Sequence, residues 1–321
     1  MRKVIGIGET VLDIIFRGER QQAGEQGSGF QPLQAVPGGS AFNAIISLGR
    51  AGVPAMFIGE VGNDRVGENV KKYLVDNGVD DSCVSSFPES KSPISLAFLD
   101  DDNNAEYIFY KDHPHDRLDF NYPDINRDDV VLFGSFFAIN PVVRPQVMGF
   151  LEYAQQHGAI LYYDVNFRAS HRQDMMKVTP SLLENFELAD IVRGSDEDFE
   201  VMYGKRDCDA VYRSEISFYT KKFIYTRGAL PVELRADGGF SKQYPVTPAT
   251  TVSTIGAGDN FNAGFVYGLI KYGITRSDIE RGLTEQQWDQ LIGCAQAFSA
   301  NCCQSLNNSI DAAFAQQLRN Q

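Results

Sequence analysis

Residues 252–265 read VSTIGAGDNFNAGF, the most informative stretch of the chain. Apolar side chains recur at helical spacing after Asp259, which predicts an amphipathic helix. The small residues Gly256, Ala257 and Gly258 would open that helix, where backbone N–H groups stay uncovered and the helix dipole adds partial positive charge. This pattern is typical of a site for a phosphoryl group.

Asp259 falls in the first turn of the predicted helix, beside that anion site. Its carboxylate could accept a proton from an attacking hydroxyl group. The structural alternative is that Asp259 only caps the helix, because aspartate is a favoured N-cap residue, while the glycines form a tight turn. Both interpretations remain open from this motif alone.

The composition is that of an acidic globular protein. The chain has 321 residues, with 29 basic and 42 acidic side chains and a formal net charge of -13. Its 22 Phe and 14 Tyr exclude disorder as the main state, and its length allows a substantial core. Binding to nucleic acid needs clustered positive charge, so the composition argues against a nucleic-acid partner.

The sequence favours a cytoplasmic protein without membrane contacts. No apolar run approaches the ~20 residues that cross a bilayer. The apolar N-terminal stretch is interrupted by Gly6, Gly8 and Glu9 and lacks a small-residue cleavage site, so it predicts a buried strand rather than a signal peptide. The five cysteines lack metal-ligand spacing and are expected to be packing residues in a reducing compartment.

Apolar runs alternate with amphipathic stretches along the chain. The runs predict buried strands and the stretches predict helices: strands at 4–7, 130–133, 159–163, 191–192 and 223–225, and helices at 65–77, 145–157 and 180–188. This alternation predicts βαβ units and a mainly parallel central sheet in an α/β fold. A polar stretch rich in Gly and Gln at 18–34 predicts a surface loop.

A hairpin is expected outside this α/β body. Residues 94–99 and 106–111 flank the polar sequence DDDNNA, which predicts two antiparallel strands. We expect this hairpin to belong to a small β-lid formed from about 11–36 and 93–113. No linker divides the chain, so one domain over 1–321 is expected. An exposed hairpin edge invites pairing, which makes a homodimer through the lid a further hypothesis.

Three motifs in order resemble those of the ribokinase-like (PfkB) carbohydrate kinase family. Residues 37–43, PGGSAFN, resemble its first signature, and 256–265 resemble its second. Between them, 59–67 read GEVGNDRVG, which is similar to a further family run. The resemblance extends from about residue 8 to 305. It implies a three-layer α/β/α sandwich with a β-lid and phosphorylation of a hydroxymethyl group by Mg-ATP.

The resemblance also implies roles for individual residues. It makes Asp259 the catalytic base and places the anion hole for the γ-phosphate at Gly256, Ala257 and Gly258. The positions that match the family's substrate-binding residues are Asp13, Gly38, Gly39, Asn43 and Arg168. Outside this resemblance, Asp13 and Asn43 would be cap and turn residues, and Arg168 would belong to a structural ion pair.

The expected nucleotide side departs from the family pattern. The matching positions are Ser195, Asp198, Thr226, Gly228 and Gln296. Asp198 replaces the glutamate of the family's NxxE motif and is one methylene shorter; it is expected to position Mg²⁺, directly or through water. Ser195 replaces the asparagine of that motif, and Gln296 stands where an adenine-side asparagine is frequent.

The cofactors implied are ATP and Mg²⁺. Ahead of GAGD the family often has DTT or DTN, whereas this chain has STI at 253–255. The missing aspartate removes a charged ligand from the family's monovalent-cation site, which argues against activation by K⁺.

The motifs leave the acceptor open. A fructokinase-like enzyme is the first expectation, from the PGGSxxN loop and the DxNxR stretch at 164–168, with ribose and 2-keto-3-deoxygluconate kinases close behind. A nucleoside kinase of the adenosine or inosine type is the alternative, because Phe42 or aromatic lid residues could stack on a base. A non-catalytic sugar or nucleotide sensor is a third hypothesis, motivated by the altered segments at 195–198 and 253–255.

Overall fold

The computed structural model describes residues 2–17, 32–99, 105–112, 118–247 and 251–320. The strands within this part of the chain are β1 (Val4–Ile7), β2 (Val11–Arg17), β3 (Pro32–Gly38), β4 (Ala55–Gly62), β5 (Val79–Phe87), β6 (Lys91–Leu99), β7 (Ala105–Asp112), β8 (Val130–Gly134), β9 (Ile160–Asp164), β10 (Ile191–Ser195), β11 (Phe223–Arg227), β12 (Leu230–Arg235) and β13 (Ser241–Tyr244).

The α-helices of the same residues are α1 (Ser40–Arg50), α2 (Arg65–Asp76), α3 (Ser135–Ile139), α4 (Arg144–Gln156), α5 (Met175–Leu188), α6 (Asp196–Tyr203), α7 (Cys208–Val211), α8 (Ala257–Lys271), α9 (Arg276–Arg281), α10 (Glu285–Cys302) and α11 (Ala312–Arg319). Two 3₁₀ turns, Ala169–Asp174 and Asp237–Gly239, and one π-helical turn, Tyr212–Ile216, complete the helical elements of the described residues.

The central sheet is mainly parallel, as the sequence predicts. Within the described residues it has nine strands in the order β13-β12-β11-β10-β9-β8-β1-β4-β5, and only β12 and β13 run antiparallel to their neighbours. Strands β1, β8 and β9 are buried along their whole length. Continuous burial is expected where helices cover both faces of a parallel sheet, which is why these strands are apolar runs in the sequence.

Successive strand residues face two separate cores, which makes the fold a three-layer α/β/α sandwich. Tyr162 packs into the core that contains α1, α8 and α10, whereas Tyr163 packs into the core that contains α4, α5 and α6. This division follows from the two-residue period of a strand. The fold class predicted from the sequence is therefore confirmed.

A second sheet stands apart from the first, in the order β3-β2-β6-β7. The predicted hairpin is confirmed, because β6 and β7 pair antiparallel. The predicted loop at 18–34 is wrong at its end: 32–34 belong to β3, where Gln34 pairs with Ile15 of β2. Residues 18–31, 100–104 and 113, also assigned to the loop or lid, lie outside the described residues. Ile108, Phe109 and Tyr110 of β7 are exposed, and the dimer through this sheet stays a prediction.

Two of the three predicted helices match α2 and α4 closely, but the third begins earlier than predicted. α5 starts at Met175 and contains Pro180, which the sequence placed at the helix start. Pro180 removes the N–H that would bond to the carbonyl of Met176. Met176 itself is 93% exposed. No helix among the described residues is long and apolar enough to span a bilayer.

Candidate active site

The N-terminus of α8 requires glycine at its first position. Gly256 is the N-cap with φ 75°, in the left-handed region that favours glycine. A Cβ at Gly256 would lie 2.9 Å from the carbonyl oxygen of Asn308, so the close approach requires glycine as well. The N–H of Ala257 donates to the carbonyl of Thr254 at 3.1 Å. The N–H groups of Gly258 and the next residue precede the first i→i−4 bond and face the helix entrance.

Asp259 does not cap α8 with its side chain. Ser40 donates its hydroxyl to Asp259 Oδ1 at 2.8 Å, and Asn43 donates Nδ2 to Asp259 Oδ2 at 2.8 Å. Both donors lie in the first turn of α1, on one helix face because they are three residues apart. The motifs at 37–43 and 256–265 therefore meet at the carboxylate of Asp259. Ser40 was not assigned a role from the sequence, although its spacing from Asn43 could have indicated one.

The environment of Asp259 suits a general base. Burial raises the pKa of Asp259 to about 6; the hydrogen bonds from Asn43 and Ser40 act against that rise, and the charge of Asp164 adds to it. A carboxylate with this pKa is ionised at neutral pH yet more basic than an exposed aspartate. Such tuning brings the proton affinity of a base close to the working pH.

Asp13 of β2 is held from two sides. Ser95 of β6 donates to Asp13 Oδ1, and Asn308 donates Nδ2 to Asp13 Oδ2 at 2.9 Å. Burial raises the pKa of Asp13 to about 6, and the nearby charge of Asp259 contributes to the rise. A Cβ at Gly38 would lie 2.2 Å from Asp13 Oδ2, so glycine is needed there. Sequence reasoning missed both donors, since no local pattern links them to Asp13.

A cavity of about 440 Å³ brings these groups together between the central sheet and the small sheet. Asp13, Asn43 and Asp259 line its floor, as do Gly39 and Gly256. The backbone at Gly39 has φ 128°, and a Cβ there would lie 2.2 Å from the carbonyl oxygen of Glu9. The structure therefore gathers the predicted substrate side and the predicted transfer centre in one space.

The wall of this cavity carries positive charge and aromatic rings. Arg168 lines it and makes no ion pair among the described residues, and its contact with a ligand stays a prediction. Lys111 of β7 pairs with Glu9. From the same strand, Tyr107 and Phe109 stack with ring centroids 5.7 Å apart and line the cavity.

A buried polar network lies beneath the first turn of α8. Arg193 of β10 donates to Asp164 Oδ1 at 2.9 Å and to the hydroxyl of Thr226 at 2.6 Å. Asn262 donates to the other oxygen of Asp164 at 2.9 Å. A Cβ at Gly258 would lie 3.1 Å from an Arg193 nitrogen, so the guanidinium packs directly against the helix entrance. Thr226, predicted on the nucleotide side, thus uses its hydroxyl inside the protein.

Ser195 and Asp198 form the capping box of α6. Asp198 Oδ2 accepts from the backbone N–H of Ser195 at 2.7 Å, and Oδ1 accepts from that of Phe167 at 2.8 Å. Burial raises the pKa of Asp198, and the charge of Arg193 opposes that rise. Both carboxylate oxygens are thus engaged with the backbone, and the role of Asp198 toward Mg²⁺ stays a prediction. Among the described residues, no group of three His, Cys, Asp or Glu side chains could hold a metal ion.

The other predicted nucleotide-side residues lie at the surface or in the C-terminal part of the fold. Gly228 has φ 53° in the turn between β11 and β12, with open space around it. Gln296 is half-buried on α10 and donates its side-chain amide to the carbonyl of Pro245 at 2.9 Å. Ser253, which stands in place of the family aspartate, is buried and accepts from the N–H of Ile255 at 3.1 Å. The ligand roles of Gly228 and Gln296 stay predictions.

The sequence is similar to those of curated sugar kinases. The model of the pfkB family of carbohydrate kinases matches residues 1–312. A 5-dehydro-2-deoxygluconokinase of Geobacillus thermodenitrificans is 29% identical over 245 residues, which cover 73% of this chain and 72% of that protein. Fructokinase-1 of Zea mays is 28% identical over 278 residues, with 84% of this chain and 83% of the fructokinase covered.

Solved structures share the whole architecture. The fructokinase of Vibrio cholerae, in complex with fructose, ADP and calcium, matches with a TM-score of 0.80 at 18% identity, covering 99% of both chains. The aminoimidazole riboside kinase of Salmonella enterica, with its riboside and an ATP analogue, matches with a TM-score of 0.78 at 20% identity, covering 98% of this chain and 99% of that one. These likenesses show a ribokinase-like fold.

The fold, the site and the family match define a phosphotransferase with an alcohol acceptor. The chain belongs to the pfkB family of carbohydrate kinases.

Proposed function

We propose that the protein transfers the γ-phosphate of Mg-ATP to a primary hydroxyl of a small sugar, with fructose as the first candidate acceptor. The observation that carries this proposal is the position of Asp259. Its carboxylate lies at the entrance of α8 and lines the same cavity as Asp13 and Asn43. One group that can take a proton thus stands between an anion site and a set of side chains suited to sugar hydroxyls.

The chemistry assigned to these residues is in-line phosphoryl transfer. Asp259 accepts the proton of the attacking hydroxyl as the bond to phosphorus forms. Asp13 and Asn43 bind other hydroxyls of the sugar, and Arg168 contacts the sugar or the transferred phosphoryl group. The N–H groups at the entrance of α8, with the helix dipole, stabilise the charge on the phosphoryl oxygens. Closure of the small sheet would exclude water from the cavity.

The residues present fit a nucleoside triphosphate with Mg²⁺. Gly256 lines the cavity, and the N–H groups of the first turn of α8 that precede the first i→i−4 bond are free to bind a phosphate group. The carboxylates of Asp164 and Asp198 already accept hydrogen bonds from protein donors. Mg²⁺ commonly keeps several waters and binds through phosphate oxygens, so these two residues would act as its outer neighbours. The ion would neutralise charge on the phosphates.

Two observations bear on the choice of acceptor: one favours a sugar and the other a nucleoside. Relatives of this chain include fructokinases and 5-dehydro-2-deoxygluconokinases, which favours a small sugar or sugar acid. A nucleoside remains the second candidate because the stacked rings of Tyr107 and Phe109 line the cavity and could contact a base.

The test is ADP release from Mg-ATP with fructose, ribose, 2-keto-3-deoxygluconate, 5-dehydro-2-deoxygluconate, adenosine and inosine, each with and without K⁺. We expect turnover of one sugar without a requirement for K⁺. Turnover restricted to a nucleoside would replace the acceptor assignment. No ADP release with any acceptor would contradict the kinase assignment itself.

Asp259→Asn is the control variant for this assay. Removing the base should lower kcat by about 10²–10⁴-fold while the fold persists. Circular dichroism and nucleotide binding would show that the variant is folded. A variant that turns over at the wild-type rate would remove Asp259 from the mechanism.

A further inference from the structure

Asn308 holds a position that the mechanism above does not use. It lies between α10 and α11, is 1% exposed, and donates Nδ2 to Asp13 Oδ2 at 2.9 Å. Its Oδ1 has no hydrogen-bond partner within the described part of the chain. A buried amide oxygen without a hydrogen-bond partner is costly, so the presence of Asn308 needs an explanation beyond packing.

The same residue also touches the anion site. The carbonyl oxygen of Asn308 accepts from Asn260 Nδ2 at 2.9 Å, and it is the atom that a Cβ at Gly256 would approach to 2.9 Å. Two residues on, the N–H of Ile310 donates to the hydroxyl of Ser47 in α1 at 3.1 Å. The segment is thus bonded to both helices that carry the site, and its backbone fixes where the Asn308 side chain lies.

Close packing against Gly38 and Asp13 limits the positions that the Asn308 side chain can take. A Cβ at Gly38 would lie 3.0 Å from Asn308 Nδ2 and 2.2 Å from Asp13 Oδ2. Asp13, Asn308 and Gly38 are therefore packed against one another, so the amide cannot move away from the carboxylate without opening a gap. Asp13 Oδ1 is engaged separately by Ser95, which leaves Asn308 as the donor that fixes Oδ2.

We propose that Asn308 is a positioning residue for the sugar site: its amide orients Asp13 and keeps it in the ionised form that accepts hydrogen bonds from sugar hydroxyls. This rests on the proposed function, in which Asp13 binds the acceptor. Because the link is to Asp13, loss of the amide should weaken the binding of the acceptor and leave the binding of Mg-ATP unchanged.

The charges around Asp13 define the expected pH dependence. The titratable groups that face it are Glu9, Tyr107 and Asp259, and the cations on the cavity wall are Lys111 and Arg168. Asp259 and Glu9 repel the ionised form of Asp13, and the Asn308 amide opposes them. Without the amide, Asp13 should take up its proton at higher pH, so acceptor binding should weaken earlier as pH falls.

The test compares Asn308→Asp and Asn308→Leu with the matched control Asn307→Asp. The first variant replaces the donor with an acceptor of the same shape, and the second removes it without adding charge. The control makes the same change one position earlier, where Asn307 Oδ1 accepts from Gln34 Nε2 and does not contact Asp13. KM values for acceptor and Mg-ATP and the pH profile of kcat/KM would be measured for all three, using the best acceptor from the panel.

Both Asn308 variants should raise the acceptor KM by about 10- to 100-fold, the range for a lost hydrogen bond to a charged group. The KM for Mg-ATP should change less than twofold, and the acid limb of kcat/KM should move to higher pH. Asn307→Asp should behave as wild type. If Asn308→Asp does not fold, Asn308→Leu alone decides.

Two outcomes would overturn the proposal, and they differ from failure of the proposed function. If the wild type phosphorylates a sugar but Asn308→Leu keeps its acceptor KM and pH profile, Asn308 is structural only. A parallel rise in both KM values would likewise assign it a general role in folding. If the wild type phosphorylates no acceptor at all, the proposed function fails first, and direct sugar binding to wild type and Asn308→Leu, measured by calorimetry, still decides the role of Asn308.

Discussion

At the scale of single residues, the ionisation of the proposed base Asp259 depends on the two donors that hold it. Ser40 and Asn43 each occupy one of its oxygens at 2.8 Å. Hydrogen bonds to a carboxylate favour the ionised form, whereas burial favours the protonated form. The pKa of about 6 is the balance of these opposing effects. Each donor therefore controls the pH at which the base becomes available.

We expect Ser40→Ala to raise the pKa of Asp259, because one donor to the ionised form is lost. The acid limb of kcat/KM should move up by about half to one pH unit, from a hydrogen bond worth ~1 kcal/mol. Activity at pH 6.5 should fall by about 1.5- to 3-fold and return toward wild type at pH 8.5, where Asp259 is ionised in both proteins. Ser40→Thr keeps the hydroxyl and should restore the wild-type profile. A loss of the same size at every pH would show that Ser40 does not act through this pKa.

At the scale of elements, the entrance of α8 has a role in folding and a proposed role in binding the phosphate. Gly256 adopts φ 75° against the carbonyl of Asn308, and Gly273, just after the other end of the helix, adopts φ 63° in open space. Both positions favour glycine by conformation. Gly256 and Gly273 share a left-handed backbone, and only Gly256 is in close contact with another segment. Gly273 is therefore a matched control for Gly256.

Gly256→Ala and Gly273→Ala should both lower stability by about 1 kcal/mol, the strain of a left-handed alanine. Gly256→Ala should lose further stability from the contact with Asn308. It should also lower kcat by about tenfold or more, because relief of that contact shifts the N–H groups proposed to bind the phosphate. Gly273→Ala should keep wild-type kcat. Thermal unfolding and steady-state kinetics on both variants check this. Equal kinetics for the two would contradict the assignment of the anion site to this helix entrance.

The same elements show what the sequence could and could not predict. The buried strands and α8 were predictable, because burial on both faces and a helical period leave local patterns. The position of Asp259 in the first turn of α8 was predictable from its place after GAG, and its role as a base stays a prediction. The partners of Asp13 were not: Asn308 lies 295 positions away along the chain, and only the packing of the C-terminal segment brings it close. The start of β3 was missed because its pairing with β2 outweighs a polar local composition.

At the scale of the whole molecule, activity and stability should respond to pH in opposite directions. Burial raises the pKa of both Asp13 and Asp259 from 3.8 to about 6. Between about pH 4 and pH 6 the folded protein therefore holds more protons than the unfolded chain, and the free energy of unfolding falls as pH rises through this window. Above it, both carboxylates are ionised, so the proposed base Asp259 can accept a proton, and the whole penalty of burying two charges is present.

We therefore expect Tm at pH 5.5 to exceed Tm at pH 8 by a few degrees, while kcat/KM rises over the same range. Burial lowers the pKa of His171, which makes the protein more stable as pH rises. The raised pKa values of Asp190 and Asp198 have the same effect on stability as those of Asp13 and Asp259. The net charge of -13 also favours lower pH through reduced repulsion. Scanning calorimetry at low salt and at 0.5 M NaCl, about the range where exposed charges are screened, separates these causes. The fall of Tm with pH that remains in 0.5 M NaCl is due to the buried carboxylates. A Tm that is flat or rises with pH in 0.5 M NaCl would contradict the raised pKa values of Asp13 and Asp259.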